Sequence, residues 1–256
     1  MNGAEFVRYL ILSDIHANID ALDAVMAAAP AHDAVWNLGD LVGYGAAPNE
    51  VIERVVAMGH VFVRGNHDRV CAGMRSGDDF NPVAQKSAAW TQETLTRDHA
   101  DWLSQLAKGP VHPNGPQVSC AHGSPLDEDQ YVSNVREAWL PLRRAERPIN
   151  FFGHTHIQCA FATNGGSWFE IRPDYTTKNE FETWEFALEP ALRYLINPGA
   201  VGQPRDGDWR AAAALYDDAA MTIRFLRVPY DVARAQQRIY DASLPDRLAK
   251  RLADGR

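Results

Sequence analysis

The stretch that most constrains this chain is Gly153-His154-Thr155-His156, directly after the apolar run Ile149-Asn150-Phe151-Phe152. The run reads as a buried strand, and the glycine marks the tight turn that ends it. Two histidines one residue apart on such a turn can aim at neighbouring points, and neutral imidazole is a common transition-metal ligand. Alone, a His-x-His is a weak signal. Upstream, however, Ser13-Asp14-Ile15-His16, Gly39-Asp40, Gly65-Asn66-His67-Asp68 and Ala121-His122-Gly123 each follow a strand-like apolar run of their own.

The segments between these motifs set the fold class. Residues 6–12 read as a first strand; with Arg8 inside it and Asp14 just beyond, it is neither a signal peptide nor a membrane span. Asn18 can cap a helix to about Ala29, with Leu22, Val25 and Met26 inward and Pro30 as the stop. Residues 34–38 form a second strand and 41–45 a mobile loop. Pro48 then opens a helix with Val51, Ile52, Val55 and Val56 on its apolar face, stopped by Gly59. Residues 61–63 are a third strand. Strand, site residue, helix, repeated, is an α/β layout with a largely parallel sheet.

Further on, residues 83–107 read as one helix with Trp90, Leu95, Trp102 and Leu103 buried, and 132–144 as another. Strands are expected at 118–120, 151–152 and 194–196. Hairpins are expected around Asn164-Gly165-Gly166 and Asp217-Asp218, and a terminal helix over 232–251. Antiparallel hairpins beside parallel strands imply mixed sheets packed together with helices outside. Helical insertions at about 71–108 and 127–147 are placed to cap the site.

With 256 residues, 46% of them hydrophobic, residues 1–256 suffice for a single domain. A net charge of −8 argues against general nucleic-acid binding, and no stretch is long and apolar enough for a membrane span. Cys71, Cys120 and Cys159 are odd in number and lack CxxC spacing. They fit a reducing cytoplasm better than a disulfide framework or a zinc ribbon. Cys120 reads as core despite its place beside His122. His32, His60, His99 and His112 read as surface or loop residues, and Trp90, Trp102 and Trp139 as core.

Ligand sites in open α/β sheets form outside the carboxyl ends of strands, so residues distant in sequence meet at one rim. The candidates are aspartates, an asparagine and histidines. This mixed oxygen and nitrogen set suits manganese, iron, zinc or nickel better than calcium. It is too large for one tetrahedral zinc. Two metals about 3.5–4 Å apart, sharing a carboxylate, would use all of it and could clamp the oxygens of a phosphoryl displacement.

Asp14-x-His16, Gly39-Asp40, Gly65-Asn66-His67-Asp68, His122 and Gly153-His154-x-His156 together resemble the signature of the calcineurin-like metallophosphoesterases, across residues 8–156. The resemblance implies a four-layer α/β/β/α sandwich of two mixed β-sheets flanked by helices, with a binuclear site. By position it implies Asp14, His16 and His156 on one metal, Asp40 bridging, and Asn66, His122 and His154 on the other. His67 would contact the phosphate and assist the leaving group, with Asp68 as its orienter; Asp68 as a plain turn residue is the other reading. The implied activity is phosphoester hydrolysis by a hydroxide bridging the metals, in a phosphodiesterase or phosphatase acting on a small phosphorylated substrate. An oligomer is compatible with the sequence.

Protein phosphatases of that superfamily carry an arginine in a GDxVDRG pattern. The corresponding loop here, Gly39-Asp40-Leu41-Val42-Gly43-Tyr44-Gly45, has none, which points away from phosphoproteins. Gly43-Tyr44-Gly45 and Asn197-Pro198-Gly199-Ala200-Val201-Gly202-Gln203-Pro204-Arg205 resemble a prokaryotic branch of small phosphodiesterases. Relatives of this branch include dinucleoside polyphosphate hydrolases. Tyr44 and Arg205 are candidate substrate contacts, and Arg205 as an ordinary surface charge is the alternative. The competing class is a non-catalytic protein-binding scaffold of the same fold, like the retromer subunit. Such scaffolds tend to lose metal ligands or the His67 equivalent, which this chain keeps.

Overall fold

The computed structural model describes residues 7–113 and 117–256. Phe6, the expected start of the first strand, lies outside them. The chain opens with β1 (Arg8–Leu12), α1 (Ile19–Ala28), β2 (Ala34–Asn37), α2 (Pro48–Met58) and β3 (Val61–Phe62). Asn18 caps α1, its Oδ1 accepting from the Ala21 N–H at 3.1 Å. Pro48 begins α2, where a missing N–H costs nothing, and Gly59 ends it. Val56, expected on the apolar face, is 49% exposed; the buried stripe is the narrower set Val51, Ile52 and Val55.

A short α3 (Asn66–Cys71) follows, starting on the site residues themselves. The single helix expected over 83–107 is two, α4 (Pro82–Thr94) and α5 (Arg97–Ser104). Leu95 takes an extended conformation, and Thr96 starts the second helix by accepting from the His99 N–H at 3.3 Å. Next come β4 (Val118–Cys120), α6 (Val135–Arg144), β5 (Ile149–Phe151), β6 (Cys159–Thr163) and β7 (Trp168–Ile171). Then follow β8 (Glu182–Ala187), β9 (Arg193–Asn197), β10 (Ala211–Asp217) and β11 (Thr222–Val228). The expected terminal helix is broken into α7 (Val232–Asp241) and α8 (Asp246–Asp254) by Ser243, at φ 53°, and Pro245. β8 was not legible in the sequence.

One sheet has the order β3-β2-β1-β10-β11-β8, the other β4-β5-β9-β6-β7, and both are mixed. β1, β2 and β3 run parallel, as do β4, β5 and β9; the remaining neighbours are antiparallel. Strand alternation divides the apolar residues between layers. Tyr9, Ile11 and Trp36 join Cys120, Phe151 and Ile196 between the sheets. Leu10, Leu12 and Val35 face α1, α2, α4, α5, α7 and α8 on the first sheet's outer side. Ala138 and Leu142 of α6 pack on Phe161 and Leu195, covering the second sheet. The result is the α/β/β/α sandwich. Trp90 and Trp102 are half-buried in the outer helical layer. Trp139, read as core, is instead 44% exposed, stacked on Trp168 and covered by the Arg143 guanidinium.

The parallel strands end at one rim, and the loops there are buried and hydrogen-bonded. The segment 41–45, expected to be mobile, is fixed: the Tyr44 N–H donates to Ser87 Oγ at 2.6 Å and the Gly45 N–H to the His16 carbonyl at 3.0 Å. Asn18 ties two rim loops together, since its Nδ2 donates to the Gly202 carbonyl at 3.0 Å while its Oδ1 caps α1. Asn18→Ala therefore removes a cap worth about 1 kcal/mol and strands a buried acceptor at about 1–2 kcal/mol. Urea unfolding should show a loss of about 2–3 kcal/mol. An unchanged midpoint would contradict this account of the rim.

Candidate metal centre

Each motif lies just past a strand, and the fold brings the motifs to one place. Asp14 and His16 follow β1, Asp40 follows β2, Asn66 and His67 open α3 after β3, His122 follows β4, and His154 and His156 follow β5. Ligand atoms of Asp14, His16, Asp40 and His156 lie within 4.8 Å of one another, as do those of Asp40, His122 and His154. Asn66 joins the second group, its Oδ1 3.3 Å from His122 Nε2. All of the clustered carboxylates and imidazoles are buried.

The backbone is bent to make this possible. Asp14, His16, Asp40, His154 and His156 all have φ between 49° and 68°. Side chains seldom occupy this left-handed region, and strain of this kind collects at functional sites. Gly65 admits the close approach of two turns: a Cβ there would lie 2.0 Å from Asp40 Oδ1.

The imidazoles are aimed by their outer nitrogens. His16 Nδ1 lies 3.1 Å from the Val42 carbonyl, His122 Nδ1 2.8 Å from that of Leu38, and His156 Nδ1 2.6 Å from that of Gln203. A carbonyl only accepts, so each Nδ1 carries a proton; Nε2 of His16 and His156 presents a lone pair inward, and Nε2 of His122 does so once its second proton leaves. The inward atoms then crowd together: His16 and His156 Nε2 are 3.2 Å apart, and His122 Nε2 is 3.1 Å from His154 Nδ1. Lone pairs so close repel unless a proton or a cation sits between them. Asp40 lies between the groups. Its Oδ1 accepts from the His67 N–H at 2.8 Å, leaving Oδ2 at 3.6 Å from His16 Nε2 and 3.4 Å from His122 Nε2. This donor set fits borderline divalent metals well.

Titration follows from the burial. His16 and His156 are driven well below the usual imidazole range by desolvation, His154 to about 3 and His67 to about 4 by the same cause. Burial also pushes Asp14 up to about 7; His122 opposes this and Asp40 adds to it. Asp40 goes the other way: burial would raise it, but the His122, His67 and His16 imidazoles hold it well below the carboxylate range. His122 rises to about 10, because Asp40 outweighs the desolvation.

Among the other candidates, Tyr44 packs on His16 and His67 with ring centroids 4.7 and 4.3 Å away, and Arg205 approaches the Tyr44 ring to 5.8 Å. For Asp68 the turn reading is the one the geometry supports. Its carboxylate accepts from the Leu41, Val42 and Gly65 N–H groups at 2.8, 3.2 and 2.9 Å, while the buried His67 Nδ1 has no partner. Asp68 thus holds the backbone around Asp40 and does not orient the His67 ring by a hydrogen bond.

Sequence reading missed two aromatic neighbours. Tyr131, 53% exposed, lies 3.9 Å from His154 between centroids, and Phe80 lies 4.5 Å from His67. Neither sits in a motif, and no local pattern marked them. Asn197 was named only as part of its turn, but its Nδ2 donates to the Gly153 carbonyl and Thr155 Oγ1 at 2.8 and 3.0 Å, so it shapes the His-x-His loop.

Fold and site together define a metal-dependent phosphoesterase. The chain belongs to the calcineurin-like phosphoesterase family, whose model matches residues 7–196. It is similar to a metallophosphoesterase from Sphaerobacter thermophilus, with 38% identity, 98% of this chain and 100% of that chain covered, and a TM-score of 0.85. An uncharacterized protein of Methanocaldococcus jannaschii is 31% identical over 96% of this chain and 97% of its own length. A hypothetical protein of Pyrococcus horikoshii shares the fold at 20% identity, with 98% and 99% coverage and a TM-score of 0.76.

Ligand protons must leave before a metal can bind. At pH 8 the low-shifted His16, His154 and His156 are already neutral and Asp14 is largely ionised, whereas His122 at about 10 still holds its extra proton. Manganese binding at pH 8 should release about one proton, and more at pH 6 as Asp14 contributes. Calorimetric titrations in buffers of different ionisation enthalpy measure this. Zero release at both pH values would contradict the assigned protonation states.

Proposed function

We propose that this chain hydrolyses a phosphoester at a pair of metal ions sharing Asp40, with Asp14, His16 and His156 on one ion and Asn66, His122 and His154 on the other. Manganese, iron, zinc or nickel suits this donor set. The observation that carries the proposal is the position of Asp40 Oδ2, which faces His16 of one ligand group and His122 of the other. Bound ions would supply Lewis acidity and an activated water. The chain's residues supply the remainder: three backbone carbonyls fix the ring tautomers, and burial of the candidate ligands shields them from bulk solvent.

In this assignment His67 is not a ligand. It is held between the Tyr44 and Phe80 rings beside both groups. Its low pKa arises mainly from burial, and a bound phosphate's negative charge would push it back up. Even neutral, the ring has one N–H to donate to a leaving oxygen. In the same proposal Phe80 and Tyr131 are what the stretches 71–108 and 127–147 place over the site. The small aromatic-walled rim suits a small phosphorylated substrate, and the three free buried cysteines suit a reducing cytoplasm.

His67→Ala should leave metal content unchanged and lower kcat by roughly 10²–10⁴-fold, the usual worth of one general acid. The loss should be smaller for p-nitrophenolate esters than for alkyl esters, because a good leaving group needs little protonation. Elemental analysis and kcat on both ester types test it. Lost metal would make His67 a ligand, and equal losses on both esters would assign it to phosphate binding instead.

A further inference from the structure

Glu128 lies outside every sequence motif, in the turn that follows His122, and its side chain is only 12% exposed. A carboxylate so far from water is kept where cations pair with it. Here two arginines do. Arg64 Nε donates to Oε2 at 3.0 Å and its Nη2 to Oε1 at 3.3 Å, a two-pronged grip. Arg69 Nη1 donates to Oε1 at 3.3 Å, and Lys108 Nζ stands 3.7 Å from the same oxygen. Asp129 extends the network by accepting from Arg69 as well.

These arginines flank candidate ligands. Arg64 directly precedes Gly65-Asn66, and Arg69 belongs to α3, which begins on Asn66 and His67. The turn that carries Glu128 is tightly wound. Ser124 Oγ accepts from the Leu126 and Asp127 N–H groups, both at 3.1 Å, and donates to Gln130 Oε1 at 2.7 Å. A Cβ on Gly123 would lie 2.7 Å from the carbonyl oxygens of Asp127 and Glu128. What holds Glu128 therefore also holds the backbone beside His122.

Asn66 and His122 need such a tie. β3 and β4, which deliver them, are end strands of different sheets, so they share no ladder. Residues 107–111 link the two strands by single bridges, Val63 to Ala107 and Val111 to Cys120. The His67 N–H and the Asp68 carboxylate fasten α3 to the Asp40 turn, and His122 Nδ1 is fastened to the Leu38 carbonyl. Among the described residues no backbone hydrogen bond joins α3 to residues 121–131. Glu128 closes that remaining side. We propose that Glu128 is a positioning residue for the second ligand group. Through Arg64 and Arg69 it fixes Asn66 against His122, whose Oδ1 and Nε2 are 3.3 Å apart. It thereby sets the affinity for the ion held by Asn66, His122 and His154 without being a ligand. This rests on the proposal that two ions share Asp40.

Manganese titration of the metal-free protein, by calorimetry and by electron paramagnetic resonance, tests it without turnover. The unaltered protein should take up two ions and show the exchange-coupled spectrum of a filled pair. Glu128→Gln keeps the shape of the side chain and removes its charge. It should weaken one of the two ions about tenfold, as for groups that orient metal ligands, and leave the other unchanged. In a His154→Ala background, where the first ligand group alone is complete, Glu128→Gln should have no effect on the remaining ion. Equal weakening of both ions, no change in either, or a further loss in the His154→Ala background would overturn the proposal. If Glu128→Gln does not fold, Glu128→Asp, with the charge on a shorter arm, should show the same selective loss at smaller size, and an unselective loss there would overturn it. A single ion in the unaltered protein would overturn the two-ion reading and this proposal with it, whereas two ions without a selective loss would overturn only the role of Glu128.

Discussion

Imidazole nitrogens that face one another across about 3 Å in a buried space are unstable company, and the rim of this molecule is built around them. Backbone carbonyls accept from the Nδ1–H groups of His16, His122 and His156, which leaves lone pairs inward on His16 and His156, and on His122 once its second proton is lost. Two buried carboxylates add negative charge to the same space. A proton can relieve part of this, as the His122–Asp40 pair shows. Cations relieve all of it, because each inward lone pair then has a positive partner. The same geometry that is costly when empty of charge is therefore preorganised for metal.

The fold meets that cost in the surrounding structure. Five turns that carry candidate ligands must converge, and parallel strands with a shared rim do this without long excursions of the chain. Left-handed backbone at Asp14, His16, Asp40, His154 and His156 is tolerated because the turns are tied to each other. The Asp14 N–H donates to the Gly39 carbonyl, the His16 N–H to that of Asp40 and the Gly202 N–H to that of Asp14. Asp68 and Asn197 brace the Asp40 and His-x-His turns through hydrogen bonds. Strain at the site is thus balanced by a polar lattice one layer out and by apolar layers on both sides of each sheet.

Much of this was legible in the sequence, for a physical reason. A residue that must sit at the end of a strand is announced by the apolar run before it, so the ligand candidates could be picked out one strand at a time. The apolar run of β1 and the Asn164-Gly165-Gly166 and Asp217-Asp218 turns marked strands and hairpins that make the sandwich. β8 was missed because Glu182-Thr183-Trp184-Glu185-Phe186-Ala187 lies at a sheet edge, where half of each pair is exposed and the apolar signal is weak. The breaks at Leu95 and Ser243 depend on single backbone conformations that no periodicity reports. Tyr131 and Phe80 come to the site from stretches outside every motif, so only the folded arrangement reveals them. Asp68 shows the opposite error: its place after His67 suggested a catalytic partner, whereas its oxygens belong to three backbone amides.

The central claim is that Asp40 is shared by two ions. Anomalous diffraction from crystals grown with manganese would test it most directly. Two peaks about 3.5–4 Å apart should appear, one near Asp14, His16 and His156 and one near Asn66, His122 and His154, with Asp40 Oδ2 in reach of both. A single peak, or two peaks without Asp40 between them, would contradict the account.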